Sequence, residues 1–222
     1  GLMLAGGGAK GSYQIGVLKA LKERKIYDQI KVVSGTSIGS INALMMLADL
    51  TIEQMEKIWF DFVNYEYNEL TKNWSLNENK GFIDLEKGFE FFKSKTSLTK
   101  IRNSKIKGYA TLSKIKNPNL INQINIRNHE LEVFCLNEAE DPFLVAMGSS
   151  SIPIVFGTTK IGENYYVDGG TLERNPMEPL LEESCNIIIA VPIGSNFNYK
   201  KYLDNNILLL DFENKDNFSH SM

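Results

Sequence analysis

Twice within its first fifty residues the chain runs a short apolar segment into glycine and then into a helix-patterned stretch, and few folds accept that arrangement. Gly1 to Ala5 is apolar and stops at Gly6-Gly7-Gly8-Ala9-Lys10-Gly11, as a buried strand feeding a turn does. Ser12 to Lys25 follows with Ile15, Val17, Leu18 and Leu21 on one side and Lys19, Lys22 and Glu23 on the other, the stripe of an amphipathic helix. Ile30 to Val33 then reads as a second strand, Ser34 to Ser40 as a turn, and Ile41 to Leu50 as a second helix. Strand-turn-helix repeated in this way predicts a three-layer α/β/α fold around a mainly parallel sheet.

The rest of the chain extends that sheet. Apolar or alternating runs at Ile106–Leu112, Leu131–Leu136, Tyr165–Val167, Ile187–Val191 and Ile207–Leu210 are expected strands. Pro142–Ser150 and Glu178–Glu183 are expected helices, and the link around Asn117-Pro118-Asn119 is expected to be a loop. From Thr51 to about Lys100 the periodicity is helical, and 10 aromatic residues lie between 51 and 95. Ile52, Met55, Trp59, Phe62 and Val63 keep helical spacing, which favours a core role; a cap at about 51–100 lying on lipid or lining an acyl groove is the other reading. With 222 residues and 43% hydrophobic content, one domain spanning 1–222 is expected.

Composition excludes some functions. A net charge of −3 leaves no electrostatic footprint for nucleic acid. Cys135 and Cys185 sit in apolar runs, where buried reduced cysteines belong, and point to neither a disulfide nor a metal. No apolar stretch reaches the length of a membrane span, so a soluble protein is expected, cytoplasmic or peripheral to a membrane. Secretion stays open because the chain begins at Gly1 rather than Met. Composition says nothing of oligomeric state.

Three motifs carry candidate chemistry. In Gly35-Thr36-Ser37-Ile38-Gly39, glycines two residues either side of a serine allow the tight strand-to-helix turn that exposes a nucleophile, and the helix start favours the charge formed on attack. The same turn also suits a serine that only caps the helix. Gly6-x-Gly8-x-x-Gly11 matches a dinucleotide fingerprint, with Glu23 or Asp28 as the acidic ribose ligand, and by itself slightly favours a dinucleotide- or phosphate-binding module over a loop of bare amides stabilising an oxyanion; a catalytically silent lipid-binding chain is a further alternative. Asp168-Gly169-Gly170 closes a short strand and is either a plain turn or a carboxylate base. The two histidines are His129, in a polar turn, and His220, in a polar tail, neither well placed as a rigid base. Ser37, Asp168 and His220 do follow the chain order of α/β-hydrolases.

Taken together and in order, the three motifs resemble those of the patatin-like phospholipase family. Ser149-Ser150-Ser151-Ile152-Pro153 and Asn175-Pro176 resemble the segments flanking its aspartate strand. The resemblance covers most of residues 1–60 and 140–195, and it implies a lipid acyl hydrolase: a phospholipase A, lysophospholipase or carboxylesterase. It implies a Ser37–Asp168 dyad without histidine, an acyl-enzyme intermediate and no cofactor or metal. Gly35 and Gly39 would frame the nucleophile elbow. The oxyanion hole would come from the Gly6, Gly7, Gly8 loop and Ile38, and Lys10 stands where a lipid phosphate could be met. Asp168 would then need partial burial, since an ordinary aspartate is a weak base.

Overall fold

The structure is a computed structural model that describes residues 1–69, 85–194, 197–202 and 207–209. Its sheet runs β1 (Leu2–Leu4), β2 (Val32–Thr36), β3 (Lys107–Ile115), β4 (Glu130–Cys135), β5 (Thr159–Ile161), β6 (Asn164–Asp168), β7 (Ile188–Val191) and β8 (Ile207–Leu209). The helices are α1 (Ser12–Glu23), α2 (Ile38–Leu47), α3 (Ile52–Glu69), α4 (Glu86–Lys95), α5 (Leu98–Arg102), α6 (Leu120–Ile124), α7 (Pro142–Ser149) and α8 (Glu178–Glu182). The expected elements are present with ends shifted by a few residues. The expected loop after β3 contains α6, and β5 is a short strand that three residues of mixed polarity, Thr159-Lys160-Ile161, do not announce.

β1 lies between β2 and β7, all parallel, and β8 extends the sheet beyond β7. Every residue of β1, β2 and β7 is buried, so both faces of this part of the sheet are covered. α2 is apolar nearly all round and all ten of its residues are buried. It packs on β1, β2 and β3 and against α7, so closely that a Cβ at Gly108 of β3 would stand 2.6 Å from Leu47.

β3 departs from the parallel pattern. One edge is paired antiparallel with β4 from Tyr109 to Lys114. The opposite edge is shared: β2 runs parallel along Lys107–Thr111 and ends, and β6 runs antiparallel along Leu112–Ile115 and ends. Thr36 of β2 sits opposite Thr111 and Asp168 of β6 opposite Leu112, so the carboxyl ends of β2 and β6 meet head to head. This meeting point positions the site.

The aromatic stretch packs as helices: α3 lies on α1, and α4 touches both α3 and α7. Trp59, Phe89 and Phe92 are buried, and Phe62 packs on Phe92 with ring centroids 4.9 Å apart. Phe60 faces outward, while the side chains of Tyr65 and Tyr67, and residues 70–84 with Trp74 and Phe82, lie outside what is described. The two cysteines are free and half-buried rather than fully buried. No helix among the described residues is long and apolar enough to cross a membrane.

Candidate active site

Ser37 stands between β2 and α2 at φ 54°, ψ −126°, a conformation that L-residues rarely adopt. The flanking glycines make it possible. A Cβ on Gly35 would fall 2.3 Å from the Gly39 carbonyl carbon, and one on Gly39 would fall 2.1 Å from the Leu4 carbonyl oxygen. Both are contacts no side chain survives, so the elbow folds tightly against the end of β1 only with glycine at 35 and 39. The strained backbone is held by hydrogen bonds: Ser37 N–H donates to Ser149 Oγ at 2.8 Å, and Ser40 N–H and Oγ donate to Ser37 O at 2.8 and 2.6 Å.

Asp168 reaches the same point from β6. Its N–H donates to the Ser151 carbonyl, and Gly170 N–H donates to Asp168 Oδ1 at 2.7 Å. A Cβ on Gly169 would lie 2.1 Å from Thr111 O, so the Asp-Gly-Gly turn presses against β3. Ser37 Oγ donates to Asp168 Oδ2 at 2.6 Å across 131 residues of chain, and both side chains are buried. Burial pushes the Asp168 carboxyl up to about 6, against the lowering effects of the Ser37 and Gly170 hydrogen bonds and the Arg174 charge. The serine thus faces a carboxylate whose proton affinity suits general-base work near neutral pH.

The glycine loop lies alongside. Gly6 is pressed to the elbow, where a Cβ would meet Ser37 Cβ at 3.3 Å, but its N–H donates to Arg174 O at 2.9 Å. Gly6 therefore leaves the expected set of oxyanion donors, because its hydrogen is already held. Gly7 and Gly8 open a 3-10 turn, and Ile38 is the first residue of α2, positions whose N–H groups have no acceptor a turn earlier. Gly8 has φ +57° with open space around its Cβ direction, and Gly7 leaves room only for Ile193. Gly11 lets the loop settle on Ile38, which a Cβ there would meet at 2.4 Å. Lys10 is exposed on this turn.

The dinucleotide reading does not survive the topology. Gly6–Gly8 follow the carboxyl end of β1, level with Gly35. Glu23 ends α1, and Asp28, ion-paired with Lys22 at 2.6 Å, precedes β2, so both sit toward the opposite end of the sheet. Of the histidines, His129 is half-buried with Nε2 donating to Asn122 O at 2.8 Å and Nδ1 3.0 Å from Thr171 Oγ1, and His220 lies outside the described residues.

Several supporting residues escape a motif reading. Ser149 Oγ accepts from Ser37 N–H while donating to Thr111 O, and Thr36 Oγ1 donates to Glu173 O. A buried network braces the glycine loop: Gln14 Nε2 donates to Ala5 O, Asn42 Nδ2 to Gly11 O and Gln14 Oε1, and Trp59 Nε1 to Asn42 Oδ1. Gln14 and Asn42 sit among apolar helix residues, and a polar side chain on such a face is the signal that could have drawn attention to them.

Comparison with known proteins identifies the lineage of this geometry. The model of the family described as patatin-like phospholipase matches residues 2–181. The chain belongs to that family. Among patatin-like relatives, "Probable lipid hydrolase 463L" of Invertebrate iridescent virus 6 is 27% identical over 186 residues, covering 80% of this chain and 61% of the viral protein. "Lysophospholipase NTE1" of Cryptococcus neoformans is 26% identical over 197 residues, 88% of this chain but 11% of its own length. The chain thus spans 61% of the viral relative's length and 11% of the fungal one's, less than two thirds of either. Among solved structures, VipD of Legionella pneumophila shares the patatin-like fold at a TM-score of 0.56 and 15% identity, over 94% of this chain and 48% of VipD.

Proposed function

We propose that this patatin-like chain is a lipid acyl hydrolase using Ser37 as nucleophile and Asp168 as general base. The observation that carries the reading is the 2.6 Å hydrogen bond from Ser37 Oγ to a buried Asp168 whose carboxyl is raised to about 6. In the first half-reaction Asp168 Oδ2 takes the Ser37 proton as Oγ bonds to the ester carbonyl carbon. The oxyanion faces the N–H groups of Gly7 and Gly8, with Ile38 as a third donor from the helix start. Each such donor is worth roughly 3 to 4 kcal/mol in the transition state. Collapse breaks the ester bond, and the proton on Asp168 passes to the departing alcohol. Asp168 then takes a proton from water as the water oxygen attacks the acyl-Ser37 carbonyl; collapse breaks the bond to Ser37 Oγ, the proton on Asp168 passes to Oγ, and the fatty acid leaves with Ser37 and the Asp168 carboxylate restored.

Lipid hydrolase and lysophospholipase relatives support a lipid ester as substrate. Lys10, exposed where the glycine turn leaves the site, is assigned to the phosphate of a phospholipid head group. Residues 1–222 are proposed as one hydrolase domain, and the burial of Trp59, Phe89 and Phe92 supports a core role for the described parts of α3 and α4. The test is a panel of phospholipids, lysophospholipids and simple esters given to wild type and Ser37→Ala side by side. Fatty acid release by wild type, lower by at least about a thousandfold in Ser37→Ala, is expected. Equal turnover by both proteins would contradict the assignment.

A further inference from the structure

α6 is built inside out. An ordinary surface helix turns its apolar stripe inward. Here Asn122 and Gln123 are the inward residues, 8% and 5% exposed, while Leu120, Ile121 and Ile124 are 56%, 71% and 54% exposed. Ile126, just beyond, is 57% exposed. The buried amides are satisfied: Asn122 Nδ2 donates to Asn117 Oδ1 and Asn122 Oδ1 accepts from Asn128 Nδ2. Gln123 Nε2 donates to Pro118 O, and Gln123 Oε1 accepts from Ile154 N–H. Single exposed aliphatics need no explanation, but four within seven residues, held outward by a hydrogen-bonded polar underside, form a surface for an apolar partner.

Its place and charge narrow the partner. His129 Nε2 ties α6 to the turn after Asp168 through Thr171 on Nδ1, and Gln123 ties it to Ile154, three residues past the Ser151 carbonyl that accepts from Asp168 N–H. Ile154 and Leu172 on those segments are themselves exposed, which continues the apolar surface toward the Ser37–Asp168 pair. From Lys116 to His129 the sequence carries Lys116 and Arg127, both exposed, and no acidic residue. Exposed aliphatics flanked by cations match the acyl boundary and phosphates of an anionic lipid surface.

We propose that the segment from Lys116 to Arg127 is the face by which the protein sits on an anionic lipid surface, delivering lipid to the adjoining site. The choice of occupant rests on the hydrolase reading. Of the aromatic stretch at 51–100, Trp59, Phe89 and Phe92 are buried, Phe60 is exposed and residues 70–84 lie outside the described residues, so the lipid-facing role is given to α6.

The experiment is co-sedimentation of the full chain with phosphatidylcholine vesicles with and without phosphatidylglycerol. Wild type is expected to bind the anionic vesicles. Ile121→Asp with Ile124→Asp should weaken binding at least about tenfold. Lys116→Glu with Arg127→Glu, on exposed positions that leave folding untouched, should weaken it about tenfold on anionic vesicles alone. Variants that sediment like wild type, or a wild type that ignores vesicles, would overturn the proposal. So would a self-associated wild type dispersed by Ile121→Asp, which would make a second copy the occupant. Sedimentation needs no turnover, so a chain that binds without hydrolysing any ester removes the hydrolase reading and leaves the surface standing.

Discussion

Asp168 is where burial and hydrogen bonding oppose each other, and burial wins. Its carboxyl rises from an ordinary 3.8 to about 6 despite accepting from Ser37 and Gly170. A carboxyl with a raised folded-state pKa favours folding when protonated. Its contribution is fully present below about pH 4 and lost as pH rises through about 6, at a cost of about 3 kcal/mol. Asp168→Asn keeps the shape without the charge, so it should gain up to about 3 kcal/mol in urea unfolding near pH 8, with the gain vanishing toward pH 4. Wild-type turnover should rise with pH through about 6 as the base ionises, and Asp168→Asn should be inactive throughout. An Asp168→Asn protein no more stable than wild type at the higher pH would mean that the carboxylate carries no burial cost. Ser37 and Asp168 were legible as candidates because their glycine neighbours are written beside them. That Gly6 gives its N–H to Arg174 was not, since a hydrogen bond from residue 6 to residue 174 leaves no local trace.

At the scale of elements, the strand and helix starts were readable wherever apolar runs met glycine or proline, as at β1, β2 and α7. The sharing of one edge of β3 between β2 and β6 was not, because strand pairing depends on partners far along the chain. Nor was α6, whose polarity runs opposite to the rule used to read helices. The helices around the glycine loop are joined by a buried polar network centred on Asn42, which touches Gly11, Gln14 and Trp59 at once. Asn42→Leu would leave the Gly11 carbonyl, Gln14 Oε1 and the Trp59 indole N–H without these partners, and should cost about 3 kcal/mol in urea unfolding. A variant as stable as wild type would show that the network does not brace the loop.

For the molecule as a whole, the sheet brings together two residues that sequence keeps 131 positions apart. β2 delivers Ser37 upward along β3, β6 delivers Asp168 downward along the same edge, and close packing at Gly35, Gly39 and Gly169 removes slack. The proposed chemistry requires that convergence to produce an activated serine. The most direct measurement is incubation with a fluorophosphonate followed by peptide mapping. A single phosphonyl adduct on Ser37 is predicted, absent in Ser37→Ala and slowed at least about a hundredfold in Asp168→Asn. An adduct on another serine, or labelling of Ser37→Ala at the wild-type rate, would contradict it.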